Sequence, residues 1–366
     1  MQKSRSKRLS PTGAVLIALA VCLAAFLLAF WRHSTGGDGA SSVKKVNVSQ
    51  VKSVEVLEDG LIFYNGTTLG YVNPSGSVKW TYMAGGDARY EATEYGVAVW
   101  KGRSLTLLNI KDGSIYYSVP QSDDIISVSI GPQYAAVVVG DDMNSKVTLL
   151  NGSGHFVKTL NFDSQLLLKY GFYSNGAYFW ALALETDGTV AGTTVSTYKP
   201  ASQLVSGSVT DNSQVTYDCM FLSDRILCVG ETYVKTYEYT GVENLSRRSL
   251  VYGWYMKACD RSSDPLMVFL TDRQYSGADP IQDVMTLQKD EKRYLHFPFG
   301  CDSVYASEGT VYGFSCENGC VMRALPGSQE IQRFLPGLQF DAVYGVMRGG
   351  IAAVSANGQM YLVRTS

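Results

Sequence analysis

Leu105 to Val119 reads LTLLNIKDGSIYYSV, and this stretch decides the fold class of most of the chain. Leu105, Leu107 and Ile110 mark one strand, Lys111-Asp112-Gly113 supplies turn residues, and Ile115 to Val119 marks a returning strand. The unit is a β-hairpin. Related hairpins occur at Gly66–Met83 and Lys146–Leu160, placing turn glycines at Gly76, Gly113 and Gly154. A spacing of about forty residues is the period of a propeller blade. The expected architecture is therefore all-β, a ring of four-stranded antiparallel sheets.

Extending the pattern outward gives the first copy strands at 51–57, 61–65, 68–73 and 78–83, and the second at 89–93, 96–100, 104–110 and 114–119. Further copies cover 125–162, 166–209, 215–251, 254–299 and 303–335. The last copy has only three strands, at 340–347, 351–356 and 359–364. Val43–Ser49, whose apolar residues alternate, belongs to no other copy and is expected to supply the missing strand and close the ring, removing the open sheet edges. The count is then eight four-stranded blades, or seven if the weakly patterned 189–216 region is an insertion.

Ahead of the repeats, residues 9–31 carry no charge, and Val15–Phe30 is almost wholly Ala, Val, Leu, Ile and Phe. At about 1.5 Å per residue, roughly 20 such residues cross a hydrocarbon layer about 30 Å thick. Lys3, Arg5, Lys7 and Arg8 precede this run, so the positive-inside rule keeps residues 1–8 in the cytoplasm and sends the C-terminal part across. The rival is a cleaved signal peptide. The run is long, ends in Phe30-Trp31-Arg32 and lacks a small-residue cleavage pattern close behind it. Leu19-Ala20-Val21-Cys22 departs from a lipoprotein box at Val21, and the apolar run continues past it. The expected organisation is a cytoplasmic tail (1–8), a transmembrane signal anchor (9–31), a flexible linker (32–42) and an extracytoplasmic propeller (43–366) at the cell membrane.

The second hairpin resembles the repeat of quinoprotein-type (PQQ-like) propellers, which place Asp or Asn four residues before a turn Gly and Trp four after it. Asn109, Gly113 and Tyr117 match that spacing, and Asn73, Gly76 and Trp80 come within one residue of it. The resemblance implies that Trp80 and Tyr117 pack between adjacent blades, and it implies no cofactor. The layout of basic tail, anchor and single propeller also resembles membrane-anchored propeller proteins of Gram-positive bacteria, which implies no activity.

Charged residues make up 17% of the chain and the formal net charge is -2, unlike a nucleic-acid binder. Setting aside the four basic residues of the tail leaves 27 basic against 33 acidic, a balance of -6 that disfavours anionic polymers. Of seven cysteines, Cys22 falls in the apolar run. Cys219 and Cys228 flank a turn at Ser223-Asp224, and Cys316 and Cys320 flank Glu317-Asn318-Gly319, so each pair is a candidate disulfide, with buried thiols as the alternative. Cys259 and Cys301 are expected on inner strands of neighbouring blades. No second cysteine pair stands at zinc spacing, and Asp141-Asp142-x-Asn144 lacks the rest of a calcium loop, so no metal is expected. His155 and His296 have no nucleophile motif beside them, and no catalytic residue is assigned.

Long loops on a rigid scaffold are where binding concentrates. Three connections between second and third strands stand out: 140–145 with Asp141, Asp142 and Asn144, 185–192 with Glu185 and Asp187, and 272–283 with Arg273, Tyr275 and Asp279. They are expected on one face. The bland alternative is that these loops only tolerate insertion. The expected function is a protein- or glycan-binding scaffold of the cell envelope. The alternative is an envelope-glycan hydrolase or lyase at the channel mouth.

Overall fold

The computed structural model describes residues 41–141, 143–185, 191–202, 205–328 and 330–365. The tail, the anchor and all but the last two residues of the linker lie outside them; Ser41 and Ser42 already belong to the first strand. No helix among the described residues is long and apolar enough to cross a membrane.

The strands form seven hydrogen-bonded sheets, six of four strands and one of eight. The four-stranded sheets span 53–83, 89–120, 216–250, 254–301 and 303–334, with the sixth made of 342–365 and Ser41–Ser49. The eight-stranded sheet comprises two antiparallel runs, 125–163 and 165–211, joined by a single parallel pair, Asn144 with Gln165. The weakly patterned 189–216 region is part of this sheet, contributing strands Gly192–Tyr198 and Val205–Asp211.

Burial follows position within each sheet. Second strands are covered on both sides by neighbouring sheets and read as continuous apolar runs: Gly60–Tyr64, Ile226–Gly230 and Thr310–Ser315 are buried throughout. Fourth strands are at the rim and bury fewer positions: only Trp80 in Val78–Met83 and only Tyr117 in Ile115–Pro120 are buried. First strands lie side by side around the centre, 53–57 beside 89–93 and so on round to 342–347 beside 53–57. Several carry a bulge, for example between Leu167 and Lys169 and between Thr216 and Asp218. A bulge bends a strand and re-aims its side chains.

Each core cluster lies between two successive four-strand runs. Val97, Val99 and Leu108 meet Ile62 and Leu69, and further round Val268, Val284 and Phe297 meet Val304, Val311 and Met322 in the same manner. The last gap is filled by Val46, Val48, Leu362 and Met347 packed on Leu61 and Phe63. Ser41–Ser49 runs antiparallel to Gln359–Thr365, with Val43 opposite Val363. The arrangement is a β-propeller.

The turn glycines have a mechanical role. Gly113 sits at φ +72°, and a Cβ there would lie 2.7 Å from the indole of Trp80 on the preceding sheet. Gly154, at φ +79°, stands in the same relation to Tyr117. Only glycine combines the left-handed backbone with so close an approach. Trp80 Nε1 also donates to the Ile110 carbonyl at 2.8 Å, and the Asn109 and Asn151 carboxamides accept from backbone N–H groups of their own turns.

Candidate functional site

The three long loops join second to third strands as the sequence predicts, so strand alternation carries them to one end of their sheets. Asp141 Oδ1 accepts from the Met143 and Asn144 N–H groups at 3.0 and 2.8 Å, which closes its own turn, and Asn144 opens the next strand. Glu185 ends strand Tyr178–Glu185, where Gln165 Nε2 donates to its carboxylate at 2.8 Å. Asp142 and Asp187 lie outside the described residues.

The 272–283 loop brings its three candidates together. A single helical turn, Asp272–Tyr275, lets Arg273 grip Asp279 with two bonds of 2.6 and 2.8 Å. Hydrogen bonding to Arg273 holds the Asp279 carboxyl below its ordinary range. The pair is an electrically neutral brace that presents Tyr275, which is 48% exposed. Two residues that sequence reading missed join it from the first strand of the same sheet: Tyr255, with ring centroids 5.5 Å apart, and Lys257, whose ammonium is 5.7 Å from the Tyr275 ring.

Ionic groups on the first strands face one another between sheets. Asp218, 1% exposed at its side chain, accepts from Lys169 at 2.7 Å and from Arg261 at 2.5 Å. Burial alone would raise the Asp218 pKa, but the two cations win and hold it below its ordinary value. Away from the first strands, Lys235 of the third strand Tyr233–Tyr237 and Asp211 at the end of the fourth strand Val205–Asp211 form a second buried pair at 2.6 Å, completed by Ser213. Glu55 is the opposite case. Burial and the nearby charge of Glu91 raise its pKa to about 7, against a lowering by the Ala92 N–H that it accepts at 2.9 Å.

Cys219 and Cys228 are directly opposite in register, with Sγ atoms 3.7 Å apart. Burial pushes the Cys219 thiol well above its ordinary value. Cys320 pairs in register with Ser315, so Cys316 falls within the turn instead of opposite it. Cys301 departs from its expected place: it ends the fourth strand, Glu291–Cys301, of the sheet whose first strand holds Cys259. The fourth strand there runs on to pair Cys301 with Ile281, which carries it past the predicted boundary. His296 Nδ1 lies 2.7 Å from Asp283, both well exposed. No group of three His, Cys, Asp or Glu residues suited to a metal occurs among the described residues.

A cavity of about 770 Å³ opens between the 165–211 and 216–250 runs. It is formed by turns between first and second strands (Tyr173–Tyr178 and Phe221–Ile226) and by a turn after a third strand (Tyr239–Gly241), so it faces the end opposite the long loops. Tyr173 stacks on Phe221 at 4.2 Å and on Tyr178 at 5.1 Å, with Tyr239 6.0 Å away and near parallel. Sequence reading passed over these residues, because they sit in short turns of two copies whose repeat spacing is lost. Their one sequence signal is the clustering of Tyr, Phe and Ser at those turns.

No family model matches the chain, and no curated protein matches it. Among solved structures, BamB from Moraxella catarrhalis is similar with a TM-score of 0.55 at 10% identity, over 88% of this chain and 98% of that one. Sqt1 from Saccharomyces cerevisiae is similar with a TM-score of 0.58 at 9% identity, over 90% and 100%. The WD40 domain of SCAP from fission yeast has a TM-score of 0.58 at 12% identity, over 89% and 94%. At these identities the likeness concerns the fold, and the fold held in common is the β-propeller.

Proposed function

We propose that the chain is a single-pass membrane protein whose eight-bladed propeller lies outside the cytoplasm and acts as a scaffold for a protein or glycan partner of the cell envelope. The count of eight takes the runs 125–163 and 165–211 as separate blades, since one residue pair joins them. The anchor rests on the uncharged run 9–31 and its basic flank. A quinoprotein-like repeat origin rests on the Asn-Gly-aromatic spacing and the way Trp80 and Tyr117 dock under the next turn glycine. Propellers such as WD40 domains, to which this fold is similar, supply a rigid ring whose loops are free to contact partners.

The observation that carries the scaffold reading is the braced 272–283 loop: Arg273 and Asp279 neutralise each other and present Tyr275, a rigid amphipathic anchor of the kind enriched at interfaces. Replacing the three long loops with short Gly-Asn turns, then crosslinking in intact membranes, tests it. Loss of the captured partner is expected, and undiminished capture sinks the reading. Glu55 favours the second reading, an envelope-glycan hydrolase or lyase, because a carboxyl with a pKa near 7 beside a second carboxylate is suited to proton transfer. Glycan release that disappears in Glu55→Gln would shift the assignment to that enzyme.

A further inference from the structure

The cavity between the 165–211 and 216–250 runs has a lining that points to a ligand class. Tyr173, Tyr178, Phe221 and Tyr239 supply ring surface, and Thr197, Ser208, Ser223 and Thr240 place hydroxyl groups around it. Among the described residues, no Asp, Glu, Lys, Arg or His contributes to the lining. Arg225 and Asp224, which belong to the adjoining turn, bond each other at 3.0 Å. A charged ligand entering here would lose water without meeting a counter-charge, which is expensive in free energy. A purely apolar ligand would leave the hydroxyl groups covered and unmatched.

The rings are held before any ligand arrives. Tyr239 OH donates to the Leu222 carbonyl at 2.6 Å, and the Tyr173 ring is held by stacking on Phe221 at 4.2 Å and on Tyr178 at 5.1 Å. Trp180 packs on Phe221 from below at 5.4 Å. A pre-set platform loses little side-chain entropy on binding. The volume lies within the range of small-ligand sites.

We propose that this cavity binds a neutral oligosaccharide, whose sugar C–H faces lie on the tyrosine and phenylalanine rings while its hydroxyls exchange hydrogen bonds with the surrounding Ser and Thr groups. The site is at the opposite end of the sheets from the long loops, so it stands or falls separately from the loop-face scaffold.

The test uses the full chain in a polyoxyethylene detergent, which has no sugar headgroup to compete. The probes are an array of neutral and acidic glycans together with proline-rich peptides, followed by calorimetry with the glycans retained. Ser208→Trp fills the mouth from an exposed rim-strand position, and Tyr239→Ala removes a half-exposed ring; Tyr116→Ala, on a distant sheet, is the control. Thermal unfolding checks that each variant is folded, and Ser208→Trp covers the case in which an aromatic deletion loosens the turn. The expected result is retention of neutral glycans, weakened at least tenfold by both Ser208→Trp and Tyr239→Ala and unchanged by Tyr116→Ala. Capture of only acidic glycans or only peptides, no capture of neutral glycans, or capture indifferent to both cavity variants would overturn the proposal.

Discussion

Asp218, buried, and Glu55, half-buried, carry carboxyls with opposite electrostatics, and so opposite pH behaviour. The Asp218 pKa is lower folded than unfolded, so its contribution to stability is full above its ordinary value of 3.8 and is lost as pH falls through the folded value. Asp218→Asn leaves Lys169 and Arg261 facing each other across a neutral group. A loss of about 2–4 kcal/mol is expected near pH 7, narrowing toward pH 3, since removing one partner of a buried pair leaves charge uncompensated. Urea unfolding across that range measures it, and a constant difference down to pH 3 would contradict the account. The Glu55 pKa is higher folded, near 7 against 4.5, so its contribution is full below pH 4.5 and is lost as pH rises through 7. Glu55→Gln keeps an acceptor for the Ala92 N–H and removes the charge beside Glu91. At pH 8 the variant is expected to be more stable than the parent by about 1–2 kcal/mol, after discounting ~1.4 kcal/mol per pKa unit for screening, with no gain at pH 4.5. A destabilised variant at pH 8 would show that the carboxylate has a favourable partner there.

Between neighbouring sheets, the contact of a rim aromatic with the next turn glycine recurs at Trp80–Gly113 and Tyr117–Gly154. Gly113→Ala should incur both left-handed backbone strain and displacement of the indole, about 3 kcal/mol together. Gly85 is the comparison, at φ +82° with nothing within 4 Å of where a Cβ would stand, so Gly85→Ala should lose only about 1 kcal/mol. Equal losses, read from the urea midpoints, would remove the docking role from the glycine. This device was legible in the chain because both partners sit at fixed distance from a turn that repeats. The 272–283 brace was legible for a different reason, its length and its Arg, Tyr and Asp content, although Tyr255 and Lys257 reach it across the sheet and no spacing announces them. The aromatic cavity was not legible. Its rings come from three turns that meet only when two runs pack, and its lining has no residue type that sequence pattern associates with a site. The Cys316–Cys320 register went astray by one residue because the loop takes four residues instead of three, a difference set by the turn's backbone and not by its composition.

At the scale of the whole ring, strand direction ties the closure to the orientation of the molecule. Ser41–Ser49 leads into the first strand of the 53–83 sheet, so its Ser49 end lies at the face of the long loops and its Ser41 end at the face of the aromatic cavity. Ser41 is opposite Thr365, the far end of the third strand of the 342–365 sheet, which fixes the same sense. Nine residues separate Trp31 from Ser41, a reach of at most about 36 Å even fully extended. The anchor proposed at 9–31 would therefore pull on the cavity-side end of the closing strand and turn the Arg273 loop away from the bilayer. Single cysteines read this out with a membrane-impermeant maleimide on intact cells. Ala278→Cys, exposed in the 272–283 loop, should label readily, including with a bulky polymer-linked reagent, while Thr240→Cys on the cavity face should react with the small reagent and lag with the bulky one. Ser4→Cys should label only after the membrane is opened. Labelling of Ser4→Cys in intact cells with Ala278→Cys protected would reverse the topology, and equal bulky-reagent rates at Ala278→Cys and Thr240→Cys would show that the ring is not held with its cavity face toward the membrane.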